Sequence, residues 1–204
     1  ADAFMHMCST MGLGGFAAYD ASFAAFASPA IEAVAVCFML LSGLNFALYF
    51  LAWKQRSPRA LWHDAEARAY VVLMSGSVAV VTAFLLAKGV YPDFPTALRY
   101  AAFNVVSVAT TTGFATTDYA QWPVFAPIFM LLLCGFATCA GSTGGGVKLV
   151  RFLLLLKQAR RELKRALHPR SILPVRLGHG IVANEVLFAV LAFMLVYGVV
   201  LIGA

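Results

Sequence analysis

Apolar residues dominate the chain in long runs, and the places where those runs fail define its organisation. The stretch Pro29 to Trp53 is long enough to cross roughly 30 Å of hydrocarbon and predicts a first full span. Ala69 to Ala87 contains no charge and predicts a second. Pro95 and Thr96 then open a helix that the pattern carries through Ala109. At about 1.5 Å per residue this helix cannot cross a bilayer and return, so Pro95 to Asp118 reads as a re-entrant hairpin. A further apolar run from Pro123 to Ala137 breaks at Thr138 to Gly146, where four glycines fall close together. Helical pattern resumes at Val147 to Leu156 and continues into a basic segment that Pro169 and Pro174 end. Ile181 to Ala204 predicts a last span, with Asn184 and Glu185 near its start. Ser42, Gly43 and Asn45, deep in the first span, read as helix-packing positions.

Between the short helix and the run from Trp122 lies Val108 to Asp118, in which Thr110, Thr111 and Thr112 precede Gly113 and Phe114. Backbone of such low helix propensity lies at membrane depth only where it lines a cavity, because lipid cannot satisfy its peptide groups. The reading is an ion-coordinating loop. Gly-Phe-Ala-x-x-Asp occurs twice, at Gly15 to Asp20 and at Gly113 to Asp118, and Ala3/Ala101 and Ser9/Ser107 match at the same offset of 98 positions. Repeats that meet at a central site are a common plan of transport proteins. Gly12, Gly14 and Gly15 give the first copy the freedom to adopt positive φ and turn its carbonyls inward.

With 62% hydrophobic and 12% charged residues the composition belongs in a bilayer. The net charge of +6 does not point to nucleic acid, because its distribution is that of a membrane protein. Of 15 Lys and Arg residues, four fall in Lys54 to Arg68 and nine in Lys148 to Arg176, the positive-inside pattern that places both segments in the cytoplasm and Lys88 to Asp93 outside. An even number of crossings must then separate the two basic segments, which again makes Pro95 to Asp118 re-entrant. Cys8, Cys37, Cys134 and Cys139 lie within apolar segments and read as packing residues. His6, His63, His168 and His179 share no ligand spacing. Ala140 to Lys148 is not a phosphate loop, since Gly146 is followed by Val147 and not by Lys-Ser/Thr. The chain carries no constellation for covalent chemistry and is read as a non-enzyme.

Thr111-Thr112-Gly113-Phe114-Ala115 resembles the Thr-Val-Gly-Tyr-Gly filter of potassium channels, whose carbonyls replace the hydration shell of the ion. Together with Ala140-Gly141-Ser142-Thr143-Gly144-Gly145-Gly146-Val147-Lys148 and the basic helix that follows, it resembles the TrkH/KtrB superfamily of potassium uptake transporters, and its TrkH branch most closely. The resemblance implies an all-α membrane protein in which four span, pore-loop, span repeats surround one potassium-channel-like pore. Residues 1–53 would be the pore loop and second span of repeat two, 54–68 a cytoplasmic loop, 69–167 a complete repeat three with a broken second span, and 168–204 a cytoplasmic loop and first span of repeat four. The chain is accordingly expected to be a fragment of a longer protein.

The implied filter residues, binding K⁺ as the transported ion, are Leu13, Gly14, Gly15 and Phe16 in one loop and Thr111, Thr112, Gly113 and Phe114 in the other. Leu13 and Gly14 stand where a potassium channel has threonine and valine. Ala140, Gly141, Ser142, Thr143, Gly144, Gly145 and Gly146 would form an intramembrane gating loop under the filter, with Lys148 either an electrostatic barrier or a side chain reaching the interface. Asp20 and Asp118 either concentrate cations at the outer mouth or cap helices. The resemblance further implies potassium uptake across the bacterial inner membrane by a multi-pass protein in contact with lipid, no bound cofactor, a homodimer, and a cytoplasmic TrkA-like nucleotide-binding ring as partner. The face made by Lys157, Arg160, Arg161 and Lys164 is either its docking site or a solvated loop. A coupled Na⁺ or H⁺ symporter using the same loops as a substrate site is the alternative.

Overall fold

A computed structural model describes residues 2–168, 173–178 and 180–203. The chain forms two compact units, residues 1–146 and 147–204. In the first, α1 (Asp2–Met11), α2 (Pro29–Ser42), α3 (Phe46–Lys54), α4 (Arg59–His63), α5 (Ala65–Ala87), α6 (Phe94–Ala109) and α7 (Phe125–Cys134) follow in order, with short 3-10 turns at Ser22–Phe26 and Tyr119–Gln121. The second holds α8 (Leu149–Leu167), an antiparallel ribbon of β1 (Arg176–Leu177) and β2 (Gly180–Ile181), and α9 (Asn184–Gly203). The ribbon is the one departure from an all-helical chain among the described residues, and it turns the chain from α8 into α9.

The short helix α6 is the centre of the first unit, packed against α5, α2 and α7. Asp93 caps it by accepting the N–H of Thr96 at 2.9 Å, and Pro95 stands in its first turn. Phe103, Val106, Phe114, Leu13, Phe23, Ala35 and Met39 form one buried cluster that joins α6 to α2 and to both re-entrant loops. A half-buried ion pair adds direction to this packing, since Arg99 of α6 forks onto the buried Glu32 of α2 with two contacts of 2.6 Å. The apolar residues of α6 therefore face protein on several sides.

The span expected over Pro29 to Trp53 is not continuous. It bends by 87° between α2 and α3. Gly43 ends α2, and Asn45 restarts the helix by accepting the N–H of Ala47 at 2.9 Å, so of the three residues read as packing positions Gly43 and Asn45 are also a C-cap and an N-cap, while Ser42 is buried within α2. Tyr70 fills the space where a side chain on Gly43 would sit. The second span begins at Ala65, not Ala69, because Asp64 caps it through the N–H of Ala67 and the helix extends its first turn beyond the apolar run. Alone among the described helices, α5 is both long and apolar enough to cross a membrane unbroken; the bent pair α2 and α3 would make a second span. The break after α7 comes at Gly135, three residues before the expected Thr138, and helix resumes at Leu149, not Val147. The last helix starts at Asn184 because Ile181 is taken up in the ribbon. Pro169 and Ala204 lie outside the described residues.

In the second unit Leu154, Leu187 and Val190 bury against Val175. The basic stripe of α8 divides into two rows. Lys157 donates to the carbonyl of Arg176 at 2.6 Å and Arg161 to Oδ1 of Asn184 at 3.0 Å, so this row is tied to its own unit, while Arg160 and Lys164 are exposed. Lys148 begins α8 with φ of 76°.

Candidate ion pathway

The two loops are built alike. After α1, Gly12 N–H donates to Cys8, Leu13 N–H to Thr10 and Gly14 N–H to Ser9, at 2.9, 3.3 and 2.9 Å. After α6, the residues 98 positions later repeat the set, Thr110 to Val106, Thr111 to Val108 and Thr112 to Ser107, at 2.9, 3.0 and 2.8 Å. Positive φ falls on the same places, 51° at Leu13 and 70° at Gly15 in the first loop, 62° at Thr111 and 89° at Gly113 in the second. Left-handed backbone at alternate residues turns successive carbonyls toward one side. A leucine and a threonine tolerate it only where the surroundings enforce it. Both helices direct their carbonyl ends, each roughly half a negative charge, at these loops.

The loops also touch. A Cβ on Gly15 would run into the carbonyl oxygen of Thr112, whereas a Cβ on Gly113 would meet nothing within 4 Å. The second loop is held from behind by groups that sequence reasoning did not assign. Ser107 Oγ donates to the carbonyl of Phe114 at 2.6 Å, and the Asn104 amide both donates to Thr116 Oγ1 at 3.0 Å and accepts its N–H at 3.3 Å. Thr110 and Thr112 join hydroxyls at 2.8 Å inside the protein. Only the middle threonine faces forward, because Thr111 Oγ1 accepts the N–H of Gly145 at 2.8 Å.

Equivalent braces are missing from the first loop. Ser9 occupies the place of Ser107 and His6 that of Asn104, yet Ser9 Oγ and His6 Nε2 are buried without hydrogen-bond partners. Phe16 is 75% exposed where Phe114 is fully buried, its ring 4.5 Å from that of Phe23. The repeat of Ser9 and Ser107 was visible in the sequence, but a shared serine says nothing of which carbonyl it holds. Asp118 accepts the N–H of Ala120 at 3.1 Å and so caps the 3-10 turn, while Asp20 is exposed.

The segment between α7 and α8 lies against the inner ends of both loops. Thr143 Oγ1 donates to the carbonyl of Met11 at 3.1 Å, beside the first loop, and Gly145 meets Thr111 of the second. Thr138 Oγ1 donates to the carbonyl of Gly145 at 2.9 Å, folding the segment on itself. Gly146, at φ of 82°, passes so close to the carbonyl of Gly135 that a Cβ would stand 2.6 Å from it. Thr143 and Gly145 are thereby brought to the end of α1 and to Thr111, while Ala140 and Gly141 bond to Glu66 and Phe46, and Lys148 belongs to the second unit. The geometry offers carbonyl oxygens in two neighbouring loops, closed on one side by glycine-rich backbone.

The whole chain, residues 1–204, matches the family model described as TrkH, cation transport protein. It is similar to the Trk system potassium uptake protein TrkH of Salmonella typhimurium, 41% identical over 201 residues that make up 98% of this chain and 42% of that protein. The protein of the same name from Escherichia coli K12 is 40% identical over the same shares. Similarity extends to the Trk system potassium uptake protein TrkG of Escherichia coli K12, 36% identical over 96% of this chain and 40% of that protein. The crystal structure of the potassium transporter TrkH from Vibrio parahaemolyticus matches with a TM-score of 0.95 at 39% identity, covering 98% of this chain and 43% of that one. The chain thus spans about two fifths of the length of these relatives.

Proposed function

Because the chain belongs to the TrkH family of cation transport proteins, we propose that it forms part of a potassium uptake protein of the bacterial inner membrane, contributing two of the loops that coordinate K⁺ in a channel-like pore. The observation that carries this reading is the shared left-handed pattern at Leu13, Gly15, Thr111 and Gly113, with Gly15 lying against the Thr112 carbonyl. A cation passing between the loops exchanges water for carbonyl oxygen, and rigid spacing of those oxygens decides which ion exchanges at least cost. In the second loop the carbonyls of Thr111, Thr112 and Gly113 serve this purpose, with the Phe114 carbonyl held back by Ser107. The first loop, without the corresponding braces, holds its ion less tightly.

Ala140 to Gly146 act as a gate, consistent with the contacts of Thr143 and Gly145 at the inner ends of the loops. In this reading residues 1–53 and 69–167 belong to successive repeats of the complete protein, which is a homodimer. A cytoplasmic nucleotide-binding partner docks on the exposed row of α8, Arg160 and Lys164, since Lys157 and Arg161 are engaged within their own unit. The test removes Gly144 to Gly146 from the complete protein in proteoliposomes. Potassium flux should rise and lose part of its dependence on the partner; normal assembly with parental flux and partner control would reject the gate.

One observation favours a second reading. Two interrupted helical segments, Gly43 to Asn45 and the segment after Gly135, meet each other, as broken helices do around the substrate site of coupled carriers. Single-channel recording separates the two, because an alternating-access carrier shows no unitary conductance.

A further inference from the structure

The two breaks come together at a buried carboxylate. Glu66, in the first turn of α5, is 7% exposed, and its Oε1 accepts the N–H of Ala140 at 2.8 Å. On either side, Cys139 N–H donates to the carbonyl of Gly43 at 3.0 Å, and Phe46 N–H donates to the carbonyl of Gly141 at 3.1 Å. Three successive residues of the glycine-rich segment are therefore gripped at once, by the bend between α2 and α3 and by α5. A Cβ on Gly141 would stand 2.7 Å from Asn45 Oδ1, so the backbone of the segment lies directly against the capping side chain. Tyr70, one turn along α5 from Glu66, packs on Gly43 and donates to the carbonyl of Leu40 at 3.1 Å, so one face of α5 holds both the bend and the segment.

A neutral side chain would serve for packing at this place. A carboxylate out of water is costly, and it is retained where it makes a bond that a neutral acceptor makes less well. A hydrogen bond to an ionised acceptor is about twice as strong as a neutral one, and the positive end of α5 supports the charge. We infer that Glu66 is a latch, a positioning residue that holds Ala140 and its neighbours in the closed arrangement against the filter loops. This rests on the gating reading above. Glu66 also lies two residues beyond Asp64, the N-cap of α5 that closes the connection running from α3 through α4, and α4 packs on both α3 and α5. Displacement of that connection from the cytoplasmic side reaches the first turn of α5, and with it the latch.

The experiment uses the complete protein in proteoliposomes, with and without its cytoplasmic partner. Glu66→Met keeps the length and apolar fit of the side chain but removes the acceptor; Glu66→Gln keeps an acceptor and removes the charge. Glu66→Met should raise partner-independent potassium flux roughly tenfold or more, the shift expected when a charged hydrogen bond made only in the closed state is lost. The thiol of Cys139, 1% exposed, should react faster with a cytoplasmic thiol reagent when the other three cysteines are replaced. In a protein lacking Gly144 to Gly146, Glu66→Met should add little, because the latched segment is already released. If shortening the segment raises flux while Glu66→Met changes neither flux nor labelling, the latch is wrong and the gate stands. If shortening itself does nothing, the gating reading fails. An equal rise from Glu66→Met in parent and shortened protein places its action elsewhere and also overturns the latch. Should Glu66→Met not insert, Glu66→Gln decides by the same measurements, with a rise of about threefold expected and parental values overturning the proposal.

Discussion

Gly15 and Gly113 occupy equivalent places with different neighbours, and that difference separates strain from crowding. At Gly113 a methyl group meets open space, so Gly113→Ala carries only the cost of positive φ, about 1–2 kcal/mol. At Gly15 the methyl also displaces the Thr112 carbonyl, which adds about 1–3 kcal/mol of overpacking and moves an oxygen of the second loop. In the complete protein Gly15→Ala should therefore damage K⁺ over Na⁺ preference more than Gly113→Ala, as read by competitive uptake; equal effects would mean the loops do not share a site. Ser107→Ala removes the donor to Phe114 and leaves a buried carbonyl unsatisfied, a loss of about 1–3 kcal/mol, whereas Ser9→Ala, whose hydroxyl has no such bond, should cost much less. Denaturation midpoints in detergent compare the pair. The pairing of the two loops was legible because Gly-Phe-Ala-x-x-Asp recurs in phase, and the second loop stood out for the threonine run before Gly113. Asn104 and Glu66 were not, since a lone amide in a helical run or an acid in a polar connection does not reveal which backbone group, twelve or seventy-four positions away, it will bond.

At the scale of elements, hydropathy found the helices and misjudged where they stop. It joined α2 to α3 because Gly43, Leu44 and Asn45 are tolerated within an apolar average, although a glycine followed by a capping residue is the local chemistry of a stop and a restart. It began α5 late because Glu66 and Arg68 look like loop, although Asp64 caps a turn that extends ahead of the apolar run. The basic stripe of α8 was legible as a stripe, but its division between Lys157 with Arg161 and Arg160 with Lys164 needed the ribbon and α9 in place. The orientation of α6 depends on the Glu32 to Arg99 fork. Glu32→Gln leaves the guanidinium without its charged partner; with Arg99 30% exposed, the loss should be at or below about 3 kcal/mol. A lowered midpoint together with a changed K⁺ over Na⁺ ratio would place the fork in control of α6, and an unchanged ratio would confine it to stability.

For the whole molecule, charge asymmetry predicts the sides of the membrane. Single cysteines at Gln55 and Lys164 should be labelled only from the cytoplasm and one at Pro92 only from outside; cytoplasmic labelling of Pro92→Cys would invert the arrangement and remove Lys88 to Asp93 from the external face. The contact between Gly15 and the Thr112 carbonyl joins residues made at very different times. At roughly 5–20 residues per second, synthesis delivers Thr112 about 5–20 s after Gly15. Throughout that interval the first loop lacks this neighbour, and the contact with Thr112 cannot help to keep Gly15 in left-handed backbone. The pairing of the two loops is therefore a late product of synthesis, and a nascent chain arrested before Thr112 emerges should contain α1 but not yet the contact that backs the turn after it.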